Sequence, residues 1–323
     1  MNHTSHIDNW IKQTTLLLIT LALVACGSGK DDTQMVLAAK DYLAQKQIRE
    51  AALELKNALQ ANPDNAEARY LLGQIQLDIG DVPSAEKEFR RAAEAGWNAE
   101  EAQIALARTL LLQQQFDKLL EDIKAGHSWT AVAKANLLGL RAAAEAGRGN
   151  IELSRSIVAE AEKTQADGLE LLKMKARLQL FDGQARAAQD TIDAAQKAYP
   201  DNTELMLLSA NAALQANDPA LAKQIFQQTI KLDPPQVITR NGRTARIAAS
   251  KLYILEGKFP EVHTLLDPLL QNNADDPEAN YLAGLLAFKE EDNEAAAIHL
   301  SKILKLDPCL LYTSDAADDA MNV

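Results

Sequence analysis

Histidine and cysteine are the side chains that most often act as nucleophiles, bases and metal ligands, and this chain has few of either. Its two cysteines, Cys26 and Cys309, stand near opposite ends and make no disulfide framework. The histidines are scattered, and none has a partner at the spacing that places two metal ligands on one helix face. They are His3, His6, His127, His263 and His299. We therefore expect neither a metal site nor a small-molecule cofactor.

The acidic residues give no better indication of catalysis. The chain has 45 Asp and Glu residues, most of them in helical patterns at positions that face solvent. Solvation explains such residues better than a general acid/base pair does. Because no nucleophile stands beside a base, the sequence predicts a protein that is not an enzyme.

One local basic cluster consists of Arg240, Arg243 and Arg246. It could bind an acidic polymer or an anionic lipid head group. The ordinary interpretation of such a cluster is a loop and helix start exposed to water. The overall balance is acidic, with a formal net charge of -12, so we expect no nucleic-acid partner.

Cys26 follows a ten-residue apolar run, Leu16 to Ala25, that is too short to cross a bilayer at about 20 residues per span. Its length and position are typical of a signal-peptide core. Leu23, Val24, Ala25 and Cys26 resemble the lipobox of bacterial lipoproteins, which implies lipidation of Cys26 and cleavage before it. A buried N-terminal helix with a core cysteine is the alternative.

This resemblance implies a division of the N-terminal region. We expect a signal peptide over residues 1–25 and a flexible tether over residues 26–33, rich in Gly, Ser and Asp. Gly27, rather than Asp, follows the cysteine. In Gram-negative lipoproteins, which the lipobox resembles, Asp at that place is an inner-membrane retention signal. We therefore expect a lipid anchor in the outer membrane with the chain facing the periplasm.

The composition predicts an all-α protein. The chain has 56 Ala among 323 residues but only 14 Gly and 10 Pro. Ala is the best helix former, and Gly and Pro are the residues that interrupt helices. Barrels, sandwiches and disordered chains need a different balance.

A 34-residue period runs through the chain. Pro200 and Pro234 are 34 residues apart, and small residues precede each at matching offsets, such as Ala188 and Ala222. The closing tripeptide Leu-Asp-Pro ends at Pro234 and again at Pro308. An irregular helical bundle with chance Ala spacing is the alternative. The pattern resembles the tetratricopeptide repeat, a helix-turn-helix unit with small residues where its two helices cross. We expect an α-solenoid of about eight units over residues 34–308.

In tetratricopeptide arrays the first helix of each pair lines a concave groove. Carried onto this chain, that resemblance implies that a protein or peptide segment binds there, through groove positions shared by four of the units. The groove residues are Tyr70, Gln74, Asp78, Lys173, Arg177, Asn211, Tyr281, Phe288 and Lys289. Glu67, Leu77, Phe181, Glu204, Leu207, Gln215 and Leu285 occupy equivalent positions.

The last fifteen residues, 309–323, show no helical periodicity. They resemble the translation of a sequencing-library adapter rather than a native acidic tail. On this interpretation the array is the N-terminal part of a longer one. Ile298, Ile303 and Leu304 would then lie at an apolar end that further repeats cover.

A lipobox followed by a long Ala-rich repeat array resembles the large lipoproteins associated with the exosortase and PEP-CTERM sorting system, which accompany exopolysaccharide production. The resemblance implies a non-catalytic scaffold, held on the membrane by its lipid, that binds proteins in this process. A pilus-assembly or outer-membrane-assembly lipoprotein is an alternative. The substrate-recruiting N-terminal region of a truncated enzyme is another.

Overall fold

The computed structural model describes residues 31–306. The predicted signal peptide, Cys26 and the tail over 309–323 lie outside these residues. Within them the chain forms sixteen helices and no strand, which confirms the all-α solenoid. The helices form eight consecutive antiparallel pairs. The pairs are α1 Asp32–Ala44 with α2 Ile48–Ala61, α3 Ala66–Asp78 with α4 Val82–Glu94, α5 Ala99–Leu112 with α6 Phe116–Asp122, α7 Ala131–Gly147 with α8 Ile151–Glu162, α9 Leu169–Phe181 with α10 Ala185–Ala198, α11 Thr203–Gln215 with α12 Pro219–Lys231, α13 Arg240–Leu255 with α14 Phe259–Asn272, and α15 Pro277–Lys289 with α16 Asn293–Leu306.

The first described helix begins earlier than the sequence suggested. Asp32 and Thr33, assigned above to the tether, lie in the first turn of α1. The side chain of Asp31 caps this helix by accepting a hydrogen bond of 2.7 Å from the main-chain N–H of Gln34. An Asp at this position satisfies a donor that would otherwise have no partner, so helix formation extends into the polar segment.

One backbone feature marks every pair. The turn between the two helices always contains a residue with positive φ, the left-handed conformation that favours glycine and asparagine. The intervals between consecutive residues of this set are 34 residues, except for 35 between the third and fourth and 40 between the sixth and seventh. The set is Lys46, Gly80, Gln114, Gly149, Gly183, Asn217, Gly257 and Glu291.

Small residues allow close crossing of the helices. A Cβ added at Gly73 in α3 would lie 2.7 Å from the ring of Phe89 in α4, which is fully buried. Ala85 and Ala188, the crossing residues of two second helices, are also fully buried. Their small side chains let the axes approach to the short end of the usual interhelical range.

The third pair departs from the repeat. Its second helix, α6, has only seven residues and is followed by an eight-residue connection, 123–130. Trp129 in this connection is buried in the hydrophobic core that the second, third and fourth units share. A Cβ added at Gly126 would lie 2.8 Å from the indole, so glycine allows the chain to fold over it.

The first helices of successive pairs stand side by side, and the array curves until its seventh unit meets the first two. Helix α13 of the seventh unit contacts α3 of the second. A Cβ built on Gly80 lies 3.9 Å from Cβ of Arg240. The guanidinium of Arg49 in α2 donates to the main-chain oxygen of Gln236 at 3.0 Å. The superhelix therefore closes into a ring between its second and seventh units.

The eighth unit extends beyond this ring. Ile298 in α16 is 53% exposed, and Leu300 is 38% exposed. Ile303 and Leu304 are partly buried. The residues predicted at an apolar end thus lie on the last described helix, with Ile298 as the most open of them.

Candidate binding surface

One position recurs on the concave surface in four of the units. On a first helix, the residue that follows the small crossing residue is rotated by about 100° from it and turns toward the inside of the ring. Gln74 follows Gly73 in this way, and Arg177 follows Ala176. The four such residues in units two, three, five and six are Gln74, Arg108, Arg177 and Asn211.

A cavity of about 190 Å³ lies at the centre of the ring. Its wall is formed by six first helices, namely α3, α5, α7, α9, α11 and α13. Because α3 and α13 meet only where the array closes, the cavity depends on this closure. Its polar lining includes groups of both charges. The charged residues are Asp78, Arg108, Glu170, Lys173, Arg177, Glu204 and Arg240, and Gln74 is an uncharged polar neighbour.

Four helices share a chain of alternating charges in this wall. Arg108 in α5 lies 2.5 Å from a carboxylate oxygen of Glu170 in α9. The Lys173 ammonium lies 2.7 Å from Glu170 and also pairs with Glu204 in α11. Arg240 in α13 donates to the other oxygen of Glu204 at 2.6 Å. Each buried charge therefore has an opposite neighbour, which buried ions require.

These neighbours set the pKa values of the two carboxyl groups. Burial alone would raise the pKa of Glu170, but the charges of Lys173 and Arg108 outweigh it and hold the pKa below its usual value. Burial likewise acts against Glu204, and Lys173 and Arg240 lower its pKa well below the ordinary range. Both groups are ionised at neutral pH.

Asp78 is different, because no residue among 31–306 donates a hydrogen bond or ion pair to its carboxylate. The side chain is exposed to the cavity, where the surrounding wall limits the water around its carboxylate. This desolvation raises the pKa of Asp78 to about 6, and the cations Arg240 and Arg108 only partly oppose it. Asp78 is thus the cavity group whose charge changes near neutral pH.

Two predicted groove residues have structural partners. Lys173 is 2% exposed, and its ammonium is occupied by Glu170 and Glu204, so it holds the wall together rather than offering a charge to a partner. Tyr70 stacks on Trp97 with ring centroids 5.1 Å apart. Burial raises the pKa of its hydroxyl, and Glu101 adds to this effect.

A second concave pocket lies between units five and six. Arg177 and Phe181 from α9 face Asn211, Leu214 and Gln215 from α11. Phe181 is 68% exposed, and no residue of the described part of the chain forms an ion pair with Arg177. Gln215 is held by donating to the main-chain oxygen of Leu180 at 2.9 Å. The pocket offers an open aromatic ring beside amide groups and a cation.

The predicted groove residues of the last unit lie apart from both pockets. Tyr281, Phe288 and Lys289 are on α15, where Phe288 is 64% exposed and Tyr281 is 39% exposed. They form an aromatic surface on the unit that extends beyond the ring.

Sequence reasoning missed three charged residues of the cavity wall. Arg108 follows Ala107 at the crossing of unit three, so the repeat frame could have identified it. Glu170 occupies the second position of unit five, where the frame also places a groove residue. The repeat frame could not place Arg240 in the cavity wall, because this residue lies in an N-terminal extension of α13 that the repeat pattern does not contain.

The basic cluster is neither a free cationic patch nor a solvated helix start. Arg240 pairs with Glu204, and Arg243 donates to Asp276 at 2.6 Å and 2.7 Å. Arg246 pairs with the carboxylate of Asp233. The Asp276 contact raises the pKa of Arg243. The cluster is therefore a set of ion pairs that joins α13 to its neighbours.

Residues 31–306 contain no group of three or more histidine, cysteine or acidic side chains arranged to hold a metal ion. The two histidines of the last units have protein partners: His299 lies 3.0 Å from Asn280, and His263 lies 3.3 Å from Glu290. No helix among these residues combines the length and apolar character that a bilayer span requires.

Comparison with known proteins agrees with this geometry. The family model described as the tetratricopeptide repeat matches residues 36–100, 173–237 and 249–308. Human tetratricopeptide repeat protein 34 is 37% identical over 79 residues, which are 24% of this chain and 14% of that protein. The match thus spans about one seventh of the length of this relative.

Solved structures are similar in fold at low identity. Human IFIT1, as a monomeric variant with m7Gppp-AAAA, covers 88% of this chain and 70% of its own, at 15% identity and a TM-score of 0.54. Pseudomonas aeruginosa pilF covers 75% of this chain and 92% of its own, at 18% identity and a TM-score of 0.42.

Proposed function

The chain belongs to the tetratricopeptide repeat family, and we propose that it is a non-catalytic scaffold that holds segments of partner proteins on its concave surface. Repeats of this family generally serve protein interaction, and the curved array presents an extended surface to a partner.

The observation that carries this proposal is the pocket between units five and six. Phe181 is 68% exposed and lies beside Asn211 and Arg177. An exposed ring binds an apolar side chain of a partner, while an amide can bond to the partner's main chain. Arg177 favours a partner that carries an acidic group nearby.

The charge distribution supports a protein partner over a nucleic acid. Arg108, Lys173 and Arg240 in the central cavity are paired with carboxylates, and the chain has a net charge of -12. A phosphate backbone needs clustered free cations, which such a surface does not offer. IFIT1 resembles this chain in fold at 15% identity, and that likeness does not transfer its RNA ligand.

Site-specific photo-crosslinking tests the proposal. A photoreactive phenylalanine derivative at Phe181 should capture partner proteins in cells, and Asn211→Ala should reduce these adducts. The matched control is the same derivative at Leu53, which is 59% exposed on the second helix of unit one. Identical adducts at both positions, or adducts unaffected by Asn211→Ala, would contradict a specific concave site.

The scaffold is further proposed to be a lipoprotein of a Gram-negative envelope, attached through acylated Cys26 and facing the periplasm from the outer membrane. The support is the sequence Leu23-Val24-Ala25-Cys26 after a short apolar run, with Gly27 in place of Asp. Lipid chains contribute about 0.8 kcal/mol per buried methylene, so two or more would hold the chain on the membrane.

The test of this anchor is the substitution Cys26→Ser. We expect the variant to lose incorporation of a labelled fatty acid and to move from the membrane fraction to the soluble one. Unchanged membrane retention would refute the anchor and leave the repeat scaffold intact.

As its process we propose exopolysaccharide production and PEP-CTERM protein sorting, on the resemblance between a lipobox joined to an Ala-rich array and the lipoproteins of that system. The gene neighbourhood tests this assignment directly. A locus without sorting or polysaccharide genes would count against it.

A further inference from the structure

The connection between units six and seven, residues 232–239, contains an insertion. Four of the other connections between pairs have four residues, whereas this one has eight. The eight-residue connection 123–130 compensates for the short helix α6, but both helices beside 232–239 are full length. These four extra residues account for most of the six by which the interval between Asn217 and Gly257 exceeds 34.

The insertion forms a preformed loop. Val237 donates its N–H to the main-chain oxygen of Pro234 at 3.1 Å, which closes a turn with Pro235 and Gln236 at its centre. Gln236 has a φ of 60°, a conformation that costs a non-glycine residue energy. Asp233 accepts hydrogen bonds from Thr239, so the loop's two ends are joined to each other. The loop can therefore leave a neighbouring surface without unfolding.

This loop lies on the first two units. One wall of a mainly apolar crevice consists of Leu43, Ile48, Leu71, Ile75 and Ile79, with the polar side chains of Gln74 and Asp78 beside them. Pro234, Val237 and Thr239 form the opposite side. A space of about 200 Å³ remains between them. The crevice can accept larger aliphatic side chains than the loop supplies, because the loop fills it incompletely.

The shorter hydrogen bond between Arg49 and the loop goes to the main chain, so it does not depend on which side chain is bound. Arg49 donates to the main-chain oxygen of Gln236 at 3.0 Å and to its side-chain oxygen at 3.4 Å. Any extended segment presents main-chain oxygens, so Arg49 could bond to a different chain in the same way.

We propose that the apolar crevice on units one and two is a binding surface for proline-containing aliphatic segments of partner proteins, and that the chain's own loop 232–239 occupies it. The loop shows which chemistry fits: a proline (Pro234), one aliphatic anchor (Val237) and an outward main-chain oxygen for Arg49. A partner segment displaces the loop and opens the ring between α3 and α13.

The experiment measures binding of a fluorescent synthetic peptide with the sequence of Leu232–Thr239 to the full chain. Val237→Asp removes the loop's aliphatic anchor and leaves the crevice wall unchanged. We expect the peptide to bind this variant about tenfold tighter than the wild type, because an internal competitor lowers the apparent affinity. A peptide with Asp in place of Val237 should not bind.

Two further variants identify the surface. Ile79→Asp changes the wall at a residue that is 44% exposed, and in the Val237→Asp background it should reverse the tenfold gain. Ile298→Asp, at a residue that is 53% exposed on α16, is the matched control and should leave binding unchanged. Circular dichroism verifies folding, and Val237→Ser replaces Val237→Asp if the latter does not fold.

Equal affinity of wild type and a folded Val237 variant, no binding to that variant, or binding unaffected by Ile79→Asp would each overturn the inference. It rests on the proposed function only in taking a protein segment as the ligand. Crosslinking at Phe181 reports on units five and six, so either result can fail while the other stands.

Discussion

Gly80 and Arg240 belong to the second and seventh units, and a Cβ built on Gly80 lies 3.9 Å from Cβ of Arg240. This proximity defines the closed ring, because 160 residues of chain separate the two positions. The contact joins the turn after α3 to the first residue of α13. The central cavity and the apolar crevice both depend on it.

We expect a disulfide to form between Gly80→Cys and Arg240→Cys in a chain that also carries Cys26→Ser and Cys309→Ser. A Cβ separation of 3.9 Å is that of natural disulfides. Non-reducing electrophoresis and thiol titration would measure its formation.

A matched control for this disulfide replaces Gly80→Cys by Gly96→Cys. Gly96 has a similar positive φ of 86°, but a Cβ there meets no atom within 4 Å. The control should therefore remain reduced. Equal oxidation of both pairs would show that the ring is not closed in solution.

We expect Ala188→Leu to destabilise the array by about 1–3 kcal/mol, because added methylenes at a closely packed crossing force the helices apart. Ala188 is fully buried between helices. The measurement is the free energy of unfolding in urea. Ala194→Leu, at an exposed position of the same helix α10, should change it by less than about 0.5 kcal/mol.

Lys173→Met should destabilise the fold by about 3–5 kcal/mol at neutral pH, since it leaves the buried carboxylates of Glu170 and Glu204 without their shared cation. Their lowered pKa values mean that the paired carboxylates stabilise the wild type above the unfolded pKa, and that this contribution is lost as the pH falls. The deficit of the variant should therefore shrink toward acidic pH.

Urea unfolding at a series of pH values measures this effect. Lys175→Met is the control on the same helix, because Lys175 forms an exposed pair with Glu162. An exposed pair contributes about 0–1 kcal/mol. A deficit for Lys173→Met that is small or independent of pH would contradict the role assigned to the buried network.

The raised pKa of Asp78 predicts that its contribution to the free energy of unfolding has the opposite pH dependence. Its pKa is raised from 3.8 to about 6, so the folded chain binds a proton that the unfolded chain has already lost between these pH values. Stability should fall as the pH rises through this window. Asp78→Asn should remove this part of the slope and be more stable than wild type at neutral pH. A chemical-shift titration of the Asp78 carboxyl carbon measures the pKa directly, and a value near 4 would refute the assignment.

The sequence predicted the helical units because each unit carries its own signals. Small residues such as Gly73 and Ala176 mark the crossings, and turn residues such as Gly183 follow the first helices. These features act within one unit or between neighbours, which is the range that a repeat pattern describes. The concave placement of Arg177 and Asn211 follows from the same frame.

The sequence did not predict the ring or its charge network. Closure depends on small rotations that accumulate over five units and on a loop that contacts units one and two. Lys173 occupies a groove position of its unit, but the partner that holds it in the buried wall, Glu204, belongs to the next unit. Arg240 appeared as part of a basic cluster, because its acidic partner lies 36 residues away in the chain.

The left-handed turn residues keep nearly even spacing except between Asn217 and Gly257. The superhelix therefore has one marked irregularity in its repeat spacing, here called a dislocation, and it lies where the seventh unit contacts the second. Shortening that interval to 34 residues would remove the dislocation and leave a spring of uniform pitch, in which the seventh unit no longer contacts the first two.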